Sequence, residues 1–392
     1  MIHSAIHSLS CQKDKFSLPE DVTYLNCSYM GPMLKSVEEV GIRGLRLKRA
    51  PHRIGHSEFF DEVEELRQSF ATLIHTDEPQ RIVVIPSVSY GMAVVARNLH
   101  LSKGDNILVV GEQFPSNVYP WMKKAAQHEA EVRTVAAPEA KDGRGQAWNE
   151  RLLEAIDERT RLVAVANVHW SDGTRFDLKA IRQRSREVGA LLAIDGTQSV
   201  GALPFDVREI QPDALVCAGY KWLMGPYAIT LAYFGPHFDE GEPLEEGWIS
   251  RYGSEDFSNL VNYQDQYQPG ALRYEMGERS NFILVPMMLE ALRQINAWGV
   301  ENIQAYCASL SEPAIEQLRQ YGYWIEEPTF RGSHLFGVRL PAEVPMEKLK
   351  QKLAEEQVLV SVRGNSVRIS PHLYNETQDL QKLIDCFEAA TR

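Results

Sequence analysis

Seven short apolar runs recur between residues 81 and 234: RIVVI (81–85), NILVV (106–110), VRTVA (132–136), RLVAVANV (161–168), ALLAID (190–195), ALVCAG (214–219) and AITLAYF (228–234). Between several of them lie segments with the period of an amphipathic helix, such as NERLLEAIDE and DLKAIRQRSREV. Upstream, SEFFDEVEELRQSFATLI places Phe59, Val63, Leu66, Phe70 and Leu73 at helical spacing. Runs that are apolar on both faces and separated by helices predict an α/β fold, a mainly parallel seven-stranded sheet with helices on both faces. AITLAYF follows ALVCAG too closely for a helical crossover and is expected to pair antiparallel.

From about residue 281 the texture changes. A long helical pattern, FILVPMMLEALRQINAWGV, leads to strand-like HLFGVRL, the helix PMEKLKQKLAEE, the strands VLVSV and SVRIS, and the closing helix ETQDLQKLIDCFEAA, for which Asn375 is the expected N-cap with Gln378 three residues on. This predicts a smaller α+β unit. The chain is thus divided into an N-terminal arm over 1–22, a large domain over 23–275 and a small C-terminal domain over 276–392. The stretch EGEPLEEGWISRYGSEDFSN (240–259) has the polar, glycine-containing character of a long surface or active-site loop.

Composition narrows the function classes. With 392 residues, 44% hydrophobic content, a net charge of −12 and a pI near 5.5, the chain can bury a large core and is a poor match for nucleic acid or anionic membranes. The one basic patch, Arg43 to Arg53, is short and helical in pattern. Five cysteines without paired spacing point to reduced thiols and not to a disulfide framework or a metal cluster. The start, MIHSAIHSLS, lacks the charged region and apolar core of a signal peptide, and no uncharged apolar stretch is long enough for a membrane helix. A cytoplasmic protein without metal is expected.

In an open parallel sheet, ligands bind beyond the carboxyl ends of the strands. After RIVVI come Ser87, Val88 and Ser89, whose hydroxyls and backbone N–H groups at a helix start suit either an anion or plain N-capping. After ALLAID comes GTQSVG, placing Asp195 at the strand end and Gln198 three residues on. After ALVCAG come Tyr220 and Lys221, with apolar sequence on both sides. Such a lysine either snorkels to the surface or is held as a desolvated nucleophile. An aldehyde-bearing cofactor with a pyridine ring and a phosphate, pyridoxal phosphate, needs all these parts: an amine for a Schiff base, a carboxylate for the ring nitrogen, and N–H and hydroxyl donors for the phosphate.

These segments resemble the class V aminotransferase family of pyridoxal-phosphate fold type I, which includes cysteine desulfurases, kynureninase and isopenicillin N epimerase. The resemblance runs from TYLNCSYMGP (23–32) to RISPHLYN (368–375), and its most specific pieces are IDGTQSVGALPFDV and the Gly-Tyr-Lys after the next strand. It implies that Lys221 is the Schiff-base lysine, that Asp195 partners the pyridinium nitrogen, that Gln198 contacts the phenolic oxygen, and that Ser87, Val88 and Ser89 form the phosphate loop in a large, cofactor-binding domain. Phe114, in GEQFPSNVYPW, takes the place of the stacking aromatic. Arg368 is implied as the α-carboxylate ligand, with a surface arginine as the alternative, and Asn26 and Tyr29 line the substrate pocket, though core packing explains Tyr29 almost as well.

Four positions depart from the family pattern. Ala218 lacks an expected hydroxyl and Tyr220 keeps one; Trp170 stands where an Asn or Tyr contacts cofactor or substrate; Glu278 stands in place of a threonine that reaches the partner subunit's phosphate. Glu278 is expected to pair with Arg279 or another cation, with Ser280 taking the contact. The resemblance implies a homodimer with the active site at its interface and a small amino acid as substrate. The expected activity is aminotransferase-like, with an epimerase, a kynureninase-like or β-eliminating lyase, or a non-catalytic cofactor-binding homologue as alternatives. A persulfide-forming desulfurase is not expected, because SVRGNSVRIS carries no cysteine before Arg368. A nicotinamide dehydrogenase is a poorer reading still, since no Gly-x-Gly-x-x-Gly follows any run.

Overall fold

The computed structural model describes residues 8–391; residues 1–7, the first third of the expected arm and most of the stretch MIHSAIHSLS, lie outside the described residues. The strand β1 (Thr23–Tyr24) and the helices α1 (Lys35–Lys48) and α2 (His56–Leu73) come first. Then follow β2 (Ile82–Ile85), α3 (Val88–Asn98), β3 (Asn106–Val110), α4 (Tyr119–Gln127), β4 (Glu131–Val135), α5 (Arg144–Ala155), β5 (Thr160–Ala166), α6 (Leu178–Glu187), β6 (Leu191–Asp195), α7 (Val207–Ile210), β7 (Ala214–Ala218) and β8 (Thr230–Phe234). The C-terminal part holds α8 (Leu284–Trp298), α9 (Val300–Gln320), β9 (Trp324–Ile325), β10 (Phe336–Arg339), α10 (Met346–Glu355), β11 (Val358–Leu359), β12 (Ser361–Arg363), β13 (Ser366–Ile369) and α11 (Thr377–Thr391).

The seven expected strands form one sheet in the order β2-β8-β7-β6-β5-β3-β4. Strands β3 to β7 pair in parallel, and β8 runs antiparallel to both β7 and β2, as the short connection requires. Alternate residues of each run feed two cores. Val84, Leu108, Val163, Val165, Ile194 and Leu215 face one side with α2 and α8, whereas Val83, Ile107, Val109, Leu162, Ala193 and Val216 face the other with α3 and Trp121. This two-sided burial is why the runs are apolar throughout, and it breaks down only at the edge strand β4, whose Glu131 and Thr134 are exposed.

A second, antiparallel sheet, β12-β13-β10-β9, is covered by α10 and α11, while β1 pairs in parallel with β11. Gly299, with φ of +78°, ends α8 and permits α9 to start at once in a new direction. The packing partner changes inside α9: Ile303 and Cys307 belong to the large core, Leu310 and Ala314 to the small one, which also takes Leu25 from the start of the chain. Asn375 does not cap α11. Its Oδ1 accepts the His372 N–H at 3.0 Å, and Asp379 instead reaches back to the Glu376 N–H at 3.0 Å, because the Asn375 amide holds the Tyr24 carbonyl (3.1 Å) and joins β1 to the small unit.

Candidate active site

Strands β2, β3, β5, β6 and β7 present their carboxyl ends to one cavity of about 270 Å³, with Thr230 of the antiparallel β8 entering from its own start. The lining includes Ser87, Val88 and Ser89 after β2, Gln113 and Phe114 after β3, His169 and Trp170 after β5, Asp195, Thr197 and Gln198 at β6, and Ala218, Tyr220 and Lys221 after β7. Of the residues expected at the site, Arg368, Asn26 and Tyr29 lie outside this lining.

Lys221 is 7% exposed, so it does not snorkel. Its Nζ has no hydrogen bond or ion pair among the described residues and lies 5.7 Å from the ring centres of Phe114 and Tyr220. Burial, then repulsion from Arg368, push its pKa from 10.5 down to about 8, and the charge of Asp195 offsets only part of this. An amine so placed reaches its neutral, nucleophilic form near physiological pH. Its backbone is gripped from the N-terminal segment: the Gly31 N–H donates to the Tyr220 carbonyl (2.9 Å), and a Cβ on Gly31 would meet the Lys221 carbonyl oxygen at 2.2 Å. Glu112, Met224 and Ala228, with φ of +53°, +51° and +64°, hold left-handed conformations beside Phe114 and Lys221. Backbone strain of this kind gathers where geometry is imposed on a site.

Asp195 ends β6 inside the protein and accepts the Thr197 N–H at 3.0 Å. Burial raises its pKa against the pull of Thr197 and Lys221. Gln198 is held at both ends, its Nε2 donating to the Ser28 carbonyl (3.1 Å) and its Oε1 accepting from Trp222 Nε1 (3.0 Å), which leaves one N–H for a ligand. At the opposite end Ser87 caps α3, its Oγ accepting the Tyr90 N–H at 3.2 Å, and Ser89 Oγ donates to Ser116 Oγ at 3.0 Å. Capping and anion binding are compatible here, because the Ser87 hydroxyl proton and the first-turn N–H groups of Val88 and Ser89 have no intrahelical acceptor.

Trp170 donates its indole N–H to the Glu112 carbonyl (2.6 Å) and packs edge-on against Phe114, centroids 5.5 Å apart. Its own carbonyl accepts from Arg368 Nη1 at 2.6 Å. Arg368 is 1% exposed, so it is not a surface strand arginine. Its Nη2 reaches Ser361 Oγ (3.4 Å), which donates to Asn26 Oδ1 (2.8 Å), so Asn26 sits behind the arginine. Tyr29 is 56% exposed, which removes the core-packing explanation for it. Tyr220 packs on Tyr227 with centroids 4.6 Å apart.

The expected pairing of Glu278 is not found. Arg279 bonds Glu275 at 2.8 Å, where a second arginine, Arg67, also lands at 2.6 Å, and Glu278 is exposed with φ of +57° and no ion pair among the described residues. A buried Glu275 between two guanidinium groups is the better partner because all three are out of water. Ser280 donates to the Phe59 carbonyl.

Sequence reading missed Thr197, whose Oγ1 accepts the Ala218 N–H (3.2 Å), and His169, whose Nε2 lies 3.1 Å from the Gly111 carbonyl. It also missed Arg363, whose guanidinium stands 5.4 Å over the Trp170 ring.

A buried unpaired amine, a carboxylate at a strand end, an aromatic face and a helix start rich in hydroxyls are the donor set that pyridoxal phosphate requires. The family model for aminotransferase class-V matches residues 46–383. The chain belongs to the class-V aminotransferase family. Among its relatives are an uncharacterized aminotransferase of Bacillus subtilis, YcbU, 27% identical over 335 residues that span 85% of each chain, and a cysteine desulfurase of Pectobacterium atrosepticum, 29% identical over 261 residues that span 66% of this chain and 62% of that one. Among solved structures, a C-DES mutant with glycine covalently linked to its PLP cofactor superposes with a TM-score of 0.85 at 20% identity, covering 96% of this chain and 98% of that one. The cystine C–S lyase C-DES with its product cysteine persulfide gives 0.82 at 22% identity, covering 94% and 97%. The class-V member described here therefore has the same fold as these pyridoxal-phosphate enzymes.

Proposed function

We propose that this class-V protein is a pyridoxal-phosphate enzyme acting on a small amino acid, with aminotransferase-like chemistry. The observation that carries this reading is Lys221, an inward lysine with no counter-charge bonded to it, facing the cavity that Asp195 also faces. When bound, the cofactor supplies an electron sink for the bonds around the substrate's α-carbon. Lys221 carries the cofactor and then moves the α-proton. Asp195 would hold the proton of the ring nitrogen, and Phe114 would offer the ring an aromatic face. Ser87, Val88, Ser89 and Tyr220 hold the phosphate, while the free N–H of Gln198 meets the phenolic oxygen. Trp170 walls the cavity on the side of Arg368, which takes the substrate α-carboxylate with Asn26 behind it. Tyr29 stands at the rim.

We also propose that the chain works as a homodimer, because the 248–263 segment exposes the large aromatic residues Trp248, Tyr252, Phe257 and Tyr263, which a second copy would cover. Among the described residues no helix is long and apolar enough to cross a membrane, and a cytoplasmic setting remains part of the proposal. The decisive experiment is borohydride reduction of the yellow protein followed by peptide mapping. A pyridoxyl group on Lys221 is expected; modification found only at another lysine would sink the assignment.

A further inference from the structure

The buried arginines of this chain can be sorted by what neutralises them. Arg67 lies 2.6 Å from Glu275, Arg144 lies 2.8 Å from Asp172 and 3.1 Å from Glu326, Arg279 lies 2.8 Å from Glu275, and Arg331 lies 2.7 Å from Glu312. Arg368 is buried as deeply and has no carboxylate among the described residues; its Nε has no hydrogen-bond partner at all. Arg363, which is half-buried, repeats part of the pattern. Its Nη1 donates only to the carbonyl of its own neighbour Val362 (2.8 Å), its Nε is buried without a partner, and no acid pairs with it among the described residues. Leaving a guanidinium out of water with unfilled donors is costly, so chains normally provide the acid themselves.

The two arginines are placed by one hairpin. Strands β12 and β13 pair Ser361 with Arg368 and Arg363 with Ser366 around a two-residue turn that Gly364 opens with φ of +58°. Directly paired residues share a face, so Arg363 and Arg368 lie on the same face as diagonal neighbours, roughly 7–8 Å apart at the backbone. That face is turned toward Trp170: Arg368 holds its carbonyl at 2.6 Å and Arg363 stands over its ring at 5.4 Å. Trp170 in turn touches Phe114, whose ring faces Lys221 Nζ. Two like charges held side by side repel each other, and the only acid in the adjoining cavity lining, Asp195, is at the far end of β6. The arrangement is complementary to a ligand with two acidic groups a few bonds apart.

We propose that the substrate is an amino acid with a second acidic group in its side chain, Arg368 receiving one carboxylate and Arg363 the other. This rests on the reading of the site as a pyridoxal-phosphate centre for amino acids. A charge-assisted, fork-shaped contact of this kind is absent for the isosteric amide, and such contacts are worth one to two powers of ten in affinity.

The test is calorimetric titration of the cofactor-loaded protein with L-aspartate, L-glutamate, L-asparagine and L-glutamine, with the visible absorbance of the cofactor followed in parallel. At least one acid is expected to bind tenfold or more tighter than its amide, and in Arg363→Gln that ratio is expected to fall to about one, with partial recovery in Arg363→Lys. Equal affinity for acid and amide in the unaltered protein, or an unchanged ratio in Arg363→Gln, overturns the proposal. An unaltered cofactor band in Arg363→Gln shows that the variant is folded, and a variant that loses the band is replaced by Arg363→Lys alone, whose ratio must then fall at least threefold. A cofactor band that responds to no amino acid at all refutes the underlying reading, and the proposal falls with it.

Discussion

Replacing Asp172 with asparagine should destabilise the protein by about 3 kcal/mol, because one buried carboxylate neutralises Arg144, which is out of water, and also binds Arg339. Asp172 is buried and receives Arg144 Nη2 at 2.8 Å, Arg339 Nη2 at 3.2 Å, the Thr174 N–H at 3.1 Å and the Thr174 hydroxyl at 2.9 Å, with His169 Nδ1 at 3.2 Å. Breaking a buried pair by removing one partner costs about 3–5 kcal/mol. The lower end applies, since Arg144 keeps Glu326 at 3.1 Å and Arg339 is partly exposed with Asn365 Oδ1 at 3.2 Å. An unfolding entropy of about 2.1 cal/mol/K per residue gives roughly 0.8 kcal/mol/K for a chain of this size, so Tm should fall by about 4 °C in a calorimetric scan at pH 7.

The pH dependence gives a second, independent sign. Burial pushes the Asp172 carboxyl up, but His169, Arg144 and the Thr174 N–H outweigh it and hold the group well below the usual carboxylate range. Stability from a depressed carboxyl is present above the unfolded value of about 4 and is lost as pH falls below it. The gap in Tm between the unaltered protein and Asp172→Asn should therefore narrow between pH 4 and pH 3. A Tm within 1 °C of the unaltered protein at pH 7, or a gap that stays constant down to pH 3, would refute the reasoning.

Lys221→Met should raise the Tm of the cofactor-free protein: the displacement of Lys221 from 10.5 to about 8 amounts to a penalty of roughly 3 kcal/mol that is fully present below pH 8 and fades toward pH 10. No rise at pH 7 would mean that Nζ finds water. Incubation with L-cysteine should give no protein-bound persulfide, since Cys27 is wholly buried with its thiol pushed up to about 12 by burial and the 361–370 segment has no cysteine. Alanine with a stoichiometric persulfide that disappears in Cys27→Ala would show otherwise.

The strands were legible because all but the edge strand β4 are buried on both faces and leave a continuous apolar run; the observed ends of β3 match the run NILVV, and the other six differ by no more than two residues at either end. The helix α9 was not, since its apolar side changes partner between Cys307 and Leu310 and Pro313 interrupts it, so no single stripe runs its length. Lys221, Asp195 and Ser87 could be found because each follows its strand directly. Thr197 and His169 act through bonds to Ala218 and Gly111 that only the three-dimensional arrangement creates. Arg363 had a signal: in VSVRGNSVRI the Gly-Asn pair between two short apolar strands predicts a two-residue hairpin, and its register alone places Arg363 and Arg368 on one face.

The distribution of charge explains why this site is found where it is. The chain carries a net charge of −12, yet Lys221, Arg363 and Arg368 gather around Trp170 and Phe114, and Asp195 is the one acid lining the cavity among the described residues. Elsewhere among the described residues each buried arginine is neutralised by an acid of the chain, as at Glu275 and Asp172. A cationic cluster without built-in acids destabilises the empty chain, because burial and mutual repulsion act on the same groups, and both depress Lys221 and Arg368. That penalty is relieved only by ligands that bring negative charge to this cavity. On the proposals above, a phosphate at the start of α3 and carboxylates at the hairpin would do so, which is why the folded chain and its anionic ligands should stabilise each other.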